Sequence, residues 1–467
     1  MKRLPTPQFL AALLLIIAGA VSAATAQTYT DLYDFDGTQG LNPSGPLTQG
    51  EDGNLYGTTP RGGSPQNEGV VFQLTPSGAM NVLHIFRGGN GGGPMGGLTL
   101  GTDGRFYGTT SVGGPEDAGT IFRGTTSGGV TLYDFEGLSE GSEPYVSPIE
   151  GFDGNFYGTT VANAYKITGS GAFTSLAQLP GEYGSRLLQA SDGNFYGTTS
   201  LGGDHSCNAF SGCGTIFRLT SSGNLTVVHV FEPTTYGQGP NGGLIEDSDG
   251  SLYGTTEWGS KYGCECNDGN GIVFRLGPHG AFTVVHNFGD PNYPNDGMGA
   301  TGGLVQATDG NFYGTTDVGG TSENCQWGCG VIFKITPEGD YSILYNFDGI
   351  HGSFPSNLMQ HTNGELYGLA SSGGASDDGV VYSFNLGLSP FVAFVVPAGR
   401  VGQTGGILGQ GFTGTTNVTI NGTSAVFNVI SDTYLTATVP PGATTGFVSV
   451  TTPSGTLTSN VPFRVLP

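Results

Sequence analysis

Short apolar stretches bounded by Gly, Asp, Asn and Ser recur along most of the chain. One unit reads Gly97-Leu-Thr-Leu100, Asp103-Gly104, Phe106-Tyr-Gly-Thr-Thr110, Thr120-Ile-Phe-Arg123 and Val130-Thr-Leu-Tyr-Asp-Phe135. The three- and four-residue apolar spacing of an amphipathic helix is missing, so four short strands are predicted per unit. Stretches such as Val71-Phe-Gln-Leu74 and Val284-Val-His-Asn-Phe288 are apolar on both faces. Sheets of such strands need a neighbour on each side, which radial stacking provides.

An octamer sets the period. Asp52-Gly-Asn-Leu-Tyr-Gly-Thr-Thr59 returns at 103–110, 153–160, 192–199, 249–256 and 309–316, with a decayed copy at 363–370. Its tyrosines, Tyr56, Tyr107, Tyr157, Tyr196, Tyr253, Tyr313 and Tyr367, lie 51, 50, 39, 57, 60 and 54 residues apart. Such periods fit blades of four strands. Asp-Gly predicts a two-residue hairpin turn with both residues at positive φ. The Gly after each Tyr leaves room for a neighbour to approach. Third strands can be counted at Val71, Ile121, Ala164, Ile216, Val273, Ile332 and Val381. Fourth-strand ends number only six: Phe86, Phe135, Leu179, Phe231, Phe288 and Phe347. Asp31-Leu-Tyr-Asp-Phe35, ahead of the first unit, supplies the missing one. The expectation is an all-β, seven-bladed β-propeller closed by its N-terminal strand, which leaves no sheet edge open.

The octamer resembles the signature of the GloVer-type tandem repeat of secreted bacterial proteins, over roughly residues 28–387. That resemblance implies a secreted propeller-like protein and carries no assigned activity. From about Ser389 the octamer gives way to Thr-rich alternating runs (Val418-Thr-Ile420, Tyr434-Leu-Thr-Ala-Thr-Val439, Phe447-Val-Ser-Val-Thr-Thr452) separated by Gly/Pro turns. They predict a small antiparallel sandwich. Gly409-Gln-Gly-Phe412, Ser431-Asp-Thr-Tyr-Leu435 and Val439-Pro-Pro-Gly442 make this tail resemble an IPT/TIG immunoglobulin-like domain, with Gly405-Gly406 where such domains usually show an alternating strand. The resemblance implies a spacer or binding module.

Lys2 and Arg3, the apolar run Phe9–Val21 and Ala24-Thr25-Ala26 read as a secretory signal peptide. The divisions expected are 1–26 signal peptide, 27–387 propeller and 388–467 IPT/TIG domain, in a secreted chain (extracellular, cell-surface or periplasmic) that is monomeric with no transmembrane segment once mature. Of 467 residues 86 are Gly, and Lys+Arg 14 against Asp+Glu 37 gives a net charge of −23. So few cations argue against a nucleic-acid partner.

No convergent catalytic set is legible. His84, His229 and His286 occupy one repeat slot on separate blades, as do Arg123, Arg218 and Arg275. No Ca²⁺ loop, zincin motif or Walker loop occurs, so no metal or cofactor is expected. The longest second-to-third-strand connections each carry two cysteines: Cys207/Cys213, Cys264/Cys266 and Cys325/Cys329. Pairing within each loop is the simplest scheme in an oxidising compartment. For Cys264 and Cys266, separated by one residue, pairing between adjacent loops is an alternative. The same loops hold Trp258 and Trp327, near Phe210 and Tyr262, on the rim opposite the tight turns. That rim is the candidate binding surface for a carbohydrate or cell-surface polymer. The leading reading is a non-catalytic binding protein. The rivals are a carbohydrate-active enzyme using carboxylates such as Asp290, Glu143 or Asp296, and a structural surface component.

Overall fold

The computed structural model describes residues 27–125, 128–137, 141–205, 212–232, 237–261 and 270–467. The signal-peptide segment, Cys207, Phe210, Tyr262, Cys264 and Cys266 lie outside the described residues. Among those described, seven four-stranded antiparallel sheets occupy Thr28–Asn385. Blade one is built from Thr48–Gln49, Leu55–Thr59, Val70–Leu74 and Met80–Ile85, in that spatial order, and the next five follow in sequence. The last blade takes Ser353–Gln360, Leu366–Ser372 and Val380–Asn385 from one end of the propeller and Thr28–Asp34 from the other. Thr28 pairs with Asn385 and Asp34 with Val380, so the N-terminal strand latches the ring.

The octamer explains itself in this frame. Gly50 N–H donates to Asn54 O (2.8 Å) and Gly53 N–H to Gly50 O (3.0 Å), with Gly53 at φ +75°. This is a three-residue hairpin loop, a type I turn followed by a left-handed glycine. Only the Gly takes positive φ, so the predicted two-residue turn is corrected. The Asp stays at negative φ because its carboxylate is occupied: Asp52 Oδ1 accepts from Asn54 N–H (3.1 Å) and Oδ2 from the Tyr56 hydroxyl (2.9 Å). The hydroxyls of Tyr107, Tyr157, Tyr196 and Tyr313 repeat the second bond at 2.8–3.0 Å. The glycine after the tyrosine faces the third-strand aromatic; a Cβ on Gly314 would sit 2.5 Å from Phe333 Cζ.

Three further positions join blade to blade. Octamer tyrosines stack on the Phe that opens the second strand of the next blade, as in Tyr56–Phe106 and Tyr157–Phe195 (both 4.1 Å). Fourth-strand phenylalanines meet the next third-strand aromatic edge-on at 5.2–5.7 Å, from Phe86–Phe122 round to Phe347–Tyr382. Phe35–Phe72 makes the same contact at the closing interface (5.5 Å), and between blades three and four Leu179 takes the place of the ring and packs in one cluster with Phe217. Finally, a Gln or Glu ending the first strand accepts from a turn N–H of the preceding blade, as Glu150 does from Thr102 (2.6 Å), Gln360 from Thr308 (3.0 Å) and Gln49 from Thr362 (3.0 Å).

In blade two that position is Leu100. The C-terminal domain covers it. Leu408 and Tyr434 pack with Leu100 and Phe106, and Thr433 Oγ1 donates to Glu51 O (2.7 Å) in the turn left without a clamp. Gln410 Nε2 reaches Thr362 Oγ1 (2.9 Å), so the domain rests on the tight-turn rim. It is an Ig-like pair of four-stranded sheets around Val392, Ile407, Phe412, Leu435, Val448 and Val450. Thr404–Leu408 is a strand despite its two glycines. Gly406 lies against Tyr434, whose Oη would be 2.5 Å from any Cβ placed there.

Gly314→Ala is expected to cost about 2 kcal/mol through overpacking against Phe333. Gly405→Ala, with nothing within 4 Å of its added Cβ, should stay within about 0.5 kcal/mol of the native chain. Urea denaturation of the two variants checks this.

Candidate functional site

The fourth-to-first connections meet on the long-loop rim around the central channel, and one backbone position repeats in all seven. The N–H groups of Asn42, Gly93, Glu143, Tyr183, Gly239, Gly299 and Phe354 donate to Asp378, Glu68, Ala118, Val161, Cys213, Asn270 and Cys329 carbonyls respectively, at 2.9–3.2 Å. Each donor is left-handed, with φ between 53° and 68°. Three are glycine and one is asparagine, residues that tolerate this region. The other three are Glu143, Tyr183 and Phe354. Every other described non-glycine residue at positive φ is Asn or Asp, so bulky side chains accept this strain only at the channel mouth. Strained backbone of this kind gathers at functional sites.

The side chains held there form a bowl of about 560 Å³ lined by Tyr145, Tyr183, Asn241, Asp317, Phe354 and Asn357. Tyr145 and Tyr183 present rings 5.8 Å apart, and the Tyr145 hydroxyl donates to Glu143. Tyr183 and Phe354 are 44% and 41% exposed, open to a ligand from solvent. Asn241 Nδ2 donates to Glu257 Oε2 (2.6 Å), and Thr301 Oγ1 to Asp317 Oδ1 (2.6 Å). Burial, reinforced by the charge of Asp317, raises Glu257 to about 7. Burial raises Asp317 to about 6, against the hydrogen bond from Thr301. Deeper in the channel Arg186 donates from Nη2 to Thr99 Oγ1 (2.9 Å), while its buried Nε has no partner. Burial lowers the Arg186 pKa, but a guanidinium remains charged. Val395 and Pro397 of the C-terminal domain line the far end.

The residues predicted from sequence are distributed differently. Trp258 (44% exposed) and Trp327 (66% exposed) stand in the second-to-third-strand loops, outside the lining of the bowl. Trp327 rides on a loop closed by the Cys325–Cys329 disulfide (Cα–Cα 5.2 Å), and Cys213 is also disulfide-bonded. His229 and His286 are packing residues, stacked on Phe282 (3.9 Å) and Tyr341 (4.0 Å). Burial lowers His229 to about 4. Asp296 is buried against His286 Nε2 (3.1 Å) and Gly289 N–H (2.9 Å), and Asp290 caps Asn292 in its own loop. Of the three carboxylates singled out, only Glu143 reaches the channel mouth. Arg275 and Lys334 lie beside octamer aspartates Asp249 and Asp309 on the opposite rim. No cluster of metal-ligating side chains occurs among the described residues. Glu257, Asp317 and Arg186 were missed, although all three stand directly beside repeated Leu and Thr positions.

The model of the Gloeobacter/Verrucomicrobia repeat matches residues 18–173 and 162–382, and that of the IPT/TIG domain matches 390–465. No sequence among the curated proteins matches. In fold the chain is similar to a streptogramin B lyase (16% identity, TM-score 0.52, 77% of this chain and 97% of that one). It is also similar to an inactive virginiamycin B lyase from Staphylococcus aureus bound to quinupristin (17%, 0.54, 77% and 99%). A fungal alcohol oxidase of the AA5 family in complex with copper is similar over 94% of this chain and 99% of its own (15%, 0.51). At these identities the likeness is one of fold.

Because the Tyr183 position demands a left-handed backbone, Tyr183→Gly is expected to be about 1 kcal/mol more stable than Tyr183→Ala, reversing the usual order; thermal denaturation checks it. Between the ordinary carboxyl range and about 7, folded Glu257 keeps a proton that the unfolded chain has lost, so its ionisation costs stability as pH rises through that window. Glu257→Gln should therefore gain stability relative to the native chain from pH 5 to pH 8, as read by denaturation at each pH.

Proposed function

We propose that this chain, which belongs to the Gloeobacter/Verrucomicrobia repeat family, is a secreted binding protein that takes one end of a carbohydrate or cell-surface polymer into the long-loop mouth of its channel. The observation that carries this reading is the strained trio Glu143, Tyr183 and Phe354, set where the fold prefers glycine. Aromatic faces with amide and carboxyl groups in the bowl, and a guanidinium deeper in the channel, suit a polar ring with hydroxyls, which needs apolar contact and directed hydrogen bonds together. Arg186, whose buried Nε lacks a partner, supplies a donor for a hydroxyl or carboxylate of that ligand. Trp258 and Trp327 would extend the contact along the rim. A Cys325–Cys329 disulfide suits an oxidising compartment. No helix among the described residues is long and apolar enough to cross a membrane.

A second reading rests on Glu257 and Asp317. Asp317 lines the bowl and Glu257 adjoins it through Asn241; carboxyls that titrate near neutrality there suit general acid and base work, and the fold is one that lyases and oxidases also use. In that reading Glu257 holds the proton and Asp317 is the base.

A glycan array run beside a hydrolysis and elimination screen separates the two. Binding by the native chain that falls about tenfold or more in Tyr183→Ala and persists in Glu257→Gln supports a binding protein. Product formation by the native chain that disappears in Glu257→Gln supports the enzyme. Binding unchanged in Tyr183→Ala contradicts the proposed mouth.

A further inference from the structure

The outer strands carry their own ring-to-ring rule. At four of the seven interfaces the side chain two residues before the fourth-strand Phe stacks on a ring near the start of the next fourth strand. Tyr133 stacks on Phe173 (4.3 Å), His229 on Phe282 (3.9 Å), His286 on Tyr341 (4.0 Å) and Tyr345 on Tyr29 (4.1 Å), all within 7° of parallel. Each lower ring belongs to a cross-strand pair: Ile167 with Phe173, Leu276 with Phe282, Ile335 with Tyr341 and Phe384 with Tyr29. In blade two the corresponding pair is Gly124 with Gly129. Both side chains are gone at one place, while His84 of blade one still stands above it.

The result is a cleft of about 230 Å³ between blades one and two, lined by Val71, Leu83, His84, Phe86, Leu98 and Phe122 among others. Among the described residues no Asp, Glu, Lys or Arg side chain lines it. His84 keeps its edge contact with Phe86 (4.7 Å) and a hydrogen bond between Nε2 and Asn90 Nδ2 (3.0 Å), which fix the ring plane. Burial, with Arg87 nearby, lowers its pKa, so the imidazole faces the cleft uncharged at neutral pH. An apolar cavity smaller than this one binds benzene in a well-studied case.

We propose that this cleft is a binding site for an uncharged planar aromatic ligand, or the aryl group of a larger one, which stacks on His84 where Phe173, Phe282, Tyr341 and Tyr29 stand at other blade interfaces. The site is distinct from the channel mouth and does not depend on its reading. The repeat itself shows the fit: four interfaces place a ring at the same register, parallel to its partner, at 3.9–4.3 Å. The absence of charged lining excludes ionic ligands, because burying an unpaired charge there is costly.

Indole is the probe. Titrated into the native chain at neutral pH, it is expected to move the His84 ring protons upfield in NMR spectra and to bind measurably by calorimetry. Gly129→Phe rebuilds the ring found in other blades; it should weaken indole binding at least tenfold and raise the unfolding temperature. Gly129→Leu, which copies Leu225 of blade four, should act in the same direction and keeps the test decisive if the bulkier variant fails to fold. Indole that leaves the His84 signals unmoved, or that binds the folded variants as tightly as the native chain, overturns the proposal.

Discussion

The apolar contact between the side chain ending each fourth strand and the third-strand aromatic of the next blade, edge-to-face at six interfaces and made by Leu179 at the seventh, is what the molecule depends on. Each blade is a small antiparallel sheet with two apolar faces, and such a sheet is marginal alone. Burial of both faces requires both neighbours, so the sheets support one another only as a ring. Phe35, directly after the N-terminal strand Thr28–Asp34, supplies to Phe72 the same contact that Phe86 supplies to Phe122. The hydrogen bonds that Gln and Glu side chains accept from turn N–H groups of the preceding blade add direction to contacts that are otherwise apolar.

Repetition also exposes what the protein has altered. Where a side chain is dictated by its place in the blade, a departure marks either a decayed copy or a local use. Leu100 replaces a clamp and receives the C-terminal domain; Gly124 and Gly129 open a cleft; Glu143, Tyr183 and Phe354 stand in left-handed backbone at the channel mouth. These departures are of different physical kinds. The first exchanges a hydrogen bond for apolar burial, the second exchanges packing for space, and the third accepts backbone strain to place side chains. Proteins commonly trade stability for a site in this way.

The fold was largely legible because periodicity is a property of the chain itself. The octamer, the strand spacing and the missing fourth strand at Asp31–Phe35 are all visible as letters, and the tail's alternation announced a sandwich. The turn was misread because Asp-Gly suits a two-residue hairpin equally well on composition, and the backbone hydrogen bonds within Gly50–Asn54, with Gly53 alone at positive φ, decide between them. The site was read poorly. Trp258 and Trp327 stand out in the sequence as rare residues in long loops, whereas the mouth is built from ordinary ones whose importance lies in φ. Aligning the repeats on the residue before Pro43, Pro94, Pro144, Pro240 and Pro355 would have placed Glu143 and Phe354 beside Gly93 and Gly239; Tyr183, followed by Gly184, needed the structure.

Native-state hydrogen exchange on Phe35→Ala tests the closed ring most directly. Deleting that ring should cost about 4 kcal/mol. If the blades stand or fall together, the slowest amides of every blade, including those around Phe217 opposite the latch, should lose protection by the same amount as those of Val381 and Ser383. Protection lost only beside the N-terminal strand, with the remaining blades exchanging as in the native chain, would contradict it.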